Sequence, residues 1–293
     1  MTAQRLQQRF WIKLFGVLSL IRGDNIVVLA LTQYLIAHYI VAPKLTLTEV
    51  VFDFKLFSLV LASCLVASAG YIINNFFDAA KDQINRPKKY LLRHLLSQQE
   101  QLVLFFLLNL SAVIVAASVS FKAVLFFGAY SLAIYAYSLF LKRLYWISNW
   151  AAAFLILLPF YVITLHYNNQ DTVLYGYASY FYLLLLCRDL IKDLENFKGD
   201  FAQRYQTLPI VFGQRPTKAI ISLLIVLAVF PLFFLLQEPL GKLQYYFYYS
   251  YPILWVLLFF LWFRSTQKWY LWLHNAIKAI IFLGVLSIYW INK

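Results

Sequence analysis

Asn74-Asn75-Phe76-Phe77-Asp78-Ala79-Ala80-Lys81-Asp82, with Asn85-Arg86-Pro87 close behind, ends an apolar run that begins near residue 55. A helix needs about 20 apolar residues to cross a bilayer, and this run supplies them. Its end is polar: an amide and two carboxylates follow one another at four-residue steps. Each step turns only about 40° around a helix, so Asn74, Asp78 and Asp82 share one face. Oxygen donors lined up at a membrane boundary, with basic residues behind them, suit a hydrated Mg2+ joined to a phosphate-bearing substrate. A second acidic set, Asp189, Asp193, Glu195 and Asp200, closes another apolar run.

Of 293 residues, 63% are hydrophobic and 13% charged, more apolar surface than a water-soluble chain of this length can bury. The expected solvent is therefore the bilayer. The apolar runs are continuous and lack the two-residue alternation of a barrel strand, so the expected class is all-α. Nine segments are long enough to span, near 25–42, 55–76, 101–119, 122–141, 147–166, 172–190, 218–236, 245–263 and 269–291. Ahead of them Gln4 to Ile21 reads as an amphipathic helix lying along the interface, with Phe10, Trp11, Leu14 and Phe15 opposed to Arg5, Arg9 and Lys13. No linker interrupts the chain, and residues 1–293 read as one domain.

The net charge of +13 is gathered in the loops between spans, which excludes nucleic acid as the expected partner. With the N-terminus cytoplasmic, nineteen Lys and Arg fall on that side, against Lys44, Lys55, Lys122, Lys242 and Lys293 on the other. That asymmetry is a positive-inside signal. It predicts an integral, multi-pass protein with both acidic loops cytoplasmic and the C-terminus opposite. In a bacterium the membrane would be the plasma membrane. Lys278 falls inside the last span, where it either lines an interior or snorkels to the boundary. Cys64 and Cys187 lie in apolar segments and read as free thiols. The histidines, His38, His94, His166 and His274, are too dispersed for a metal site and read as structural.

Taken alone, Asp78 and Asp82 could be a solvated helix end balanced by Lys81 and Arg86. A second acidic set on the same side favours metal binding from two directions, with Arg86, Lys88, Lys142 and Lys192 neutralising phosphate charge.

At this point the chain resembles the UbiA superfamily of intramembrane prenyltransferases. The family's first motif, Asn-Asp-x-x-Asp-x-x-x-Asp with a following Asn-Arg-Pro, is matched by Asn74-Asn75-x-x-Asp78-x-x-x-Asp82 and Asn85-Arg86-Pro87. Its second, Asp-x-x-x-Asp before Thr-Leu-Pro, is matched by Asn196-Phe197-Lys198-Gly199-Asp200 before Thr207-Leu208-Pro209. Arg188-Asp189-Leu190-Ile191-Lys192-Asp193 is similar to the run in members that prenylate glycerol-phosphate lipids. Arg22-Gly23-Asp24-Asn25 is similar to the start of the family's first span, and Tyr137-Ser138, Lys142-Arg143 and Ser148-Asn149 to its positions around spans four and five.

The resemblance implies nine transmembrane helices around a central cavity. It also implies a Mg2+-dependent transfer of a prenyl group from a prenyl diphosphate to a membrane-borne or aromatic acceptor. By the same implication Asp78, Asp82, Asp193 and Asp200 are catalytic, and Asn74, Asp78, Asp82, Asn196 and Asp200 hold the metal. Arg22, Asn25, Asn74, Arg86, Tyr137, Lys142 and Lys192 contact substrate. Asn75 and Asn196 depart from the family pattern, each removing a charge while keeping a carbonyl oxygen. They leave open an alternative, a non-catalytic relative that binds isoprenoid lipid. A transporter is disfavoured, because the charges gather at one face instead of tracing a path across the midplane.

Overall fold

The computed structural model describes residues 3–87, 90–91, 95–145, 147–169 and 171–291, with backbone alone for 3–10 and 12. Lys88, His94 and Lys293, and the side chains of Arg5, Arg9 and Phe10, lie outside the described residues. Helix makes up 86% of the structure, and no strand occurs among the described residues. The elements used below are α1 Ala3–Leu20, α2 Gly23–Ile36, α3 Leu47–Val51, α4 Phe54–Asn85, α5 Gln98–Ala117, α6 Phe121–Leu139 and α7 Ile147–Tyr167. They continue with α8 Thr172–Ala202, α9 Leu208–Val211, α10 Gln214–Leu227, α11 Val229–Leu235, α12 Gln244–Phe263 and α13 Gln267–Ser287.

Polar residues at the loop boundaries explain where these helices begin. Ser97 accepts from the Glu100 amide at 3.2 Å while Glu100 accepts from the Ser97 amide at 2.8 Å, a capping box at the head of α5. Ser120 caps α6 through the Ala123 amide at 3.1 Å, and Asp171 caps α8 through the Val173 amide at 2.8 Å.

Eight helical stretches among the described residues are long and apolar enough to cross a membrane, and eight of the nine expected segments lie in them. The remaining one, 172–190, lies in α8, which has the length but not the apolarity. Tyr175, Tyr177, Tyr180 and Tyr182 dilute its apolar half, and Arg188 and Asp189 follow. The tyrosines have an internal purpose: Tyr180 donates to or accepts from Ser250 at 3.0 Å, and Tyr177 donates to the Gly284 carbonyl. α1 is not among the eight. Trp11, Phe15 and Leu18 face outward from it, and Lys13 reaches Glu100 at 2.5 Å.

The chain divides into two compact units. The first comprises the chain up to Leu31 together with Phe54–Phe140. In it α4, α5 and α6 pack on one another. Ala62, Ala69, Ala112 and Ala116 are buried at these contacts, where small residues let backbones approach closely. A methyl at Gly70 would lie 3.1 Å from Ile134 Cγ2.

The second unit comprises Thr32–Asp53 and the chain from Leu141 onward. It is built around α8, which packs against α7, α9, α10, α11 and α13. Tyr180, Leu184, Leu186 and Cys187 of α8 are fully buried, with Tyr270 and Phe247 from α13 and α12. Pro159 sits inside α7; its own carbonyl accepts from the buried Gln33 amide at 2.7 Å. Cys64 and Cys187 are free thiols. Lys278 is exposed on α13. His166 and His274 each meet a carboxylate, Asp53 at 3.1 Å and Glu195 at 2.8 Å, in keeping with structural roles.

Candidate active site

In the first unit the polar end of α4 carries Asn74, Asp78 and Asp82, all half-buried. Ser138 of α6 donates to Asn74 Oδ1 at 2.8 Å, fixing the direction of that amide and leaving its remaining oxygen lone pair unassigned. Tyr137, the neighbour of Ser138, is half-buried on the same helix. Arg86 follows the helix directly, its amide bonded to the Asp82 carbonyl at 2.8 Å.

Asn75 behaves differently from Asn74. It is buried at 5% exposure and donates to Gln101 Oε1 on α5 at 3.3 Å, while Gln101 donates onward to the Leu96 carbonyl at 3.1 Å. Here the departure from the family's Asp serves helix–helix packing. A carboxylate at this position would lack the N–H that Gln101 accepts.

Arg22 joins α1 to α2 with φ of 52°, a left-handed conformation costly for a side-chain-bearing residue. Its guanidinium lies 4.9 Å from the Tyr71 ring centroid, over the face of a residue one turn before Asn75 on α4. Asn25 is half-buried in the first turn of α2, its amide bonded to the Arg22 carbonyl at 2.8 Å.

In the second unit the acidic end of α8 is embedded. Asp200 is fully buried, Asn196 and Glu195 are 5% exposed, and Asp193 and Lys192 are half-buried. Asn149, near the start of α7, donates to Asp193 Oδ2 at 2.8 Å. Glu195 meets His274 of α13 at 2.8 Å, and Arg188 meets its neighbour Asp189 at 3.1 Å. Lys142 is 7% exposed in the turn before α7, and the Gln206 amide bonds to the Arg143 carbonyl at 3.2 Å, tying that turn to the segment after α8.

Among the described residues no three His, Cys, Asp or Glu side chains come close enough to hold a metal ion by themselves. The donors present fit Mg2+ by their chemistry. All are hard oxygens, and Mg2+ commonly takes one or two carboxylates and completes its shell with water and substrate phosphate. Asn74 and Asp193 are each already oriented by a hydrogen-bond donor, the arrangement expected of outer-shell support.

Three of these partners carry little signal in the sequence: no motif singles out Gln101, Asn149 enters only through the family resemblance, and His274 reads as structural without a named partner. A histidine inside an apolar span was the available signal, since such a group needs a polar partner.

The UbiA prenyltransferase family model matches residues 29–289. The digeranylgeranylglyceryl phosphate synthase of Thermococcus sibiricus is 38% identical over 154 residues, covering 51% of this chain and 53% of that protein. The synthase of the same name from Pyrococcus abyssi is 32% identical over 183 residues, covering 60% and 64%. The chain thus spans between about half and two thirds of these relatives. Among solved structures, one of a digeranylgeranylglyceryl phosphate synthase in membranes aligns with a TM-score of 0.71 at 19% identity, over 94% of this chain and 97% of that one. A UbiA homolog from Archaeoglobus fulgidus bound to GPP and Mg2+ aligns with a TM-score of 0.70 at 14% identity, over 93% and 99%. At such identities the likeness establishes the fold.

Proposed function

The chain belongs to the UbiA prenyltransferase family, and on that premise we propose that it is a Mg2+-dependent prenyltransferase acting on a lipid acceptor within the membrane. The observation that carries this reading is the pair of pre-oriented oxygens, Asn74 held by Ser138 and Asp193 held by Asn149, each one turn from a further carboxylate or amide of its motif. A glycerol-phosphate acceptor is supported by the names of the relatives from Thermococcus sibiricus and Pyrococcus abyssi. The whole chain acts as one catalytic domain in this reading. Its N-terminus and acidic loops are cytoplasmic, as the distribution of basic residues supports.

As the family resemblance implies, Asp78, Asp82, Asp193 and Asp200 would hold Mg2+ and the diphosphate, with Asn74 and Asn196 contributing carbonyl oxygens. When bound, Mg2+ would neutralise charge developing on the departing diphosphate. Arg86, Lys142 and Lys192 act in the same sense by charge and hydrogen bonding, with Arg22 and Asn25 as further substrate contacts. The allylic carbon–oxygen bond breaks with its electron pair going to diphosphate. The acceptor hydroxyl then forms the new carbon–oxygen bond and gives up its proton to the released diphosphate. Tyr137 offers a ring face to the allylic cation.

The test is prenyl transfer in membranes containing this protein, supplied with Mg2+, a glycerol-phosphate lipid and radiolabelled geranyl, farnesyl or geranylgeranyl diphosphate. A labelled lipid that requires both Mg2+ and Asp78 is the expected result. Absence of product together with absence of Mg2+-dependent prenyl diphosphate binding would overturn the reading. It would favour the second one, an isoprenoid-binding relative without turnover, to which Asn75 and Asn196 point.

A further inference from the structure

Beyond the acidic helix ends, the second unit carries a built cationic feature that the transferase reading does not use. Lys218, in the first half of α10, is 4% exposed. Its ammonium donates to Ser265 Oγ at 2.9 Å and lies 5.7 and 5.6 Å from the ring centroids of Trp262 and Tyr270. No carboxylate pairs with Lys218, Arg264 or Lys268 among the described residues. From residue 201 to the end, the sequence holds a single acid, Glu238. It bonds Thr172 at 3.2 Å, at the start of α8, whereas α10 follows that helix's far end.

A buried ammonium offset only by a hydroxyl and two rings is costly, and a nearby anion would relieve it. Arg264, just past the end of α12, is exposed. Its guanidinium lies 5.7 Å from the Phe263 centroid and 5.8 Å from that of Trp269. Stacked this way, an arginine is held in place while its N–H edge stays available to phosphate oxygens. Immediately below, Trp255, Leu258, Phe259, Trp262 and Phe263 line an outward-facing apolar groove along α12. Its residues recur at three- and four-residue steps, so the groove runs along the helix for about 12 Å, parallel to a lipid chain.

We infer that this end of α12 is a binding site for one anionic phospholipid of the surrounding leaflet. Its phosphate sits on Arg264 and Lys268 above the fixed charge of Lys218, and an acyl chain lies in the Trp255–Phe263 groove. Charge complementarity commits the site to a bilayer phospholipid: an apolar groove alone would take any lipid, but the rim above it has no acid to balance its cations. The inference does not rest on the transferase reading.

The test is retention of phosphatidylglycerol against phosphatidylcholine, supplied equally to the detergent-purified full chain and counted by native mass spectrometry. The wild type is expected to retain phosphatidylglycerol preferentially. Arg264→Gln with Lys268→Gln should lower the preference by about fivefold for each cation removed. Raising the salt concentration should erode the wild-type preference, which keeps the test decisive should the double variant fold poorly. Equal retention of the two lipids by the wild type, or a preference unmoved by both the substitutions and salt, would overturn the inference.

Discussion

The two acidic helix ends look alike in sequence and are built differently. The end of α4 is half-buried, with one of its oxygens held by the neutral hydroxyl of Ser138. The end of α8 is part of a core: Asp200 is fully buried, Glu195 is paired with His274, and Asp193 is held by Asn149. The first set can adapt to a ligand at little structural cost. The second is fixed by the packing of its own unit, so changing it disturbs the scaffold as well as the chemistry.

The strongest way to break this contrast is to neutralise one carboxylate in each set. Asp78→Asn and Asp200→Asn should each lower prenyl transfer by about 10²–10³-fold, the usual loss when one charge-stabilising group is removed from a reacting centre. Only Asp200→Asn should also shift the thermal unfolding midpoint in detergent, because only that carboxyl is fully buried. Equal midpoints for the two variants would erase the distinction between a half-buried set and a core set.

Removing a supporting partner sharpens the same point. His274→Ala removes the imidazole 2.8 Å from the buried Glu195 carboxylate and leaves a cavity in the core, and should cost on the order of 3 kcal/mol in denaturant unfolding. Ser138→Ala in the first unit should cost only about 1 kcal/mol, the net worth of a neutral hydrogen bond. A reversed order would contradict the description of the two ends.

Restoring the family's acid at position 75 probes whether that residue is a lost ligand or a packing residue. Asn75→Asp is expected to destabilise by about 1–3 kcal/mol, because the buried Gln101 oxygen loses its donor, and to leave turnover no higher. A rise in turnover would show that position 75 serves the diphosphate.

The smallest effect lies away from both sets. Glu49, in the capping box at the start of α3, accepts from the Thr46 amide and hydroxyl at 2.7 and 2.8 Å, and these bonds hold its carboxyl below the usual carboxylate range. A depressed folded-state value contributes stability above the unfolded value and loses it as pH falls through the folded one. Protection of the Thr46 amide, its exchange relative to the intrinsic rate at each pH, should therefore fall on acidification below the normal titration range of Glu and stay constant above it.

Much of this was legible along the chain. Continuous apolar runs require helices in a bilayer because no water is there to satisfy exposed backbone. Four-residue steps place Asn74, Asp78 and Asp82 on one face whatever surrounds them. The span expected at 172–190 lies in α8 but falls short of the apolarity of the other eight, since its tyrosines lower it while the hydroxyls of Tyr177 and Tyr180 find partners inside the protein. The outcome for Asn75 was hidden for a related reason: an amide beside a ligand motif looks the same whether it meets a metal or a glutamine on the next helix.

Composition and period, then, were enough for the helical class, the bilayer as solvent and the paired acidic ends, because these follow from local chemistry and helix geometry. Which of those polar groups is held in a core was decided by partners remote in sequence. Asn149 lies 44 residues from Asp193, and Ser138 lies 64 from Asn74. Such pairings arise only when helices pack, since a buried polar group takes whichever partner the neighbouring helix brings within hydrogen-bonding reach.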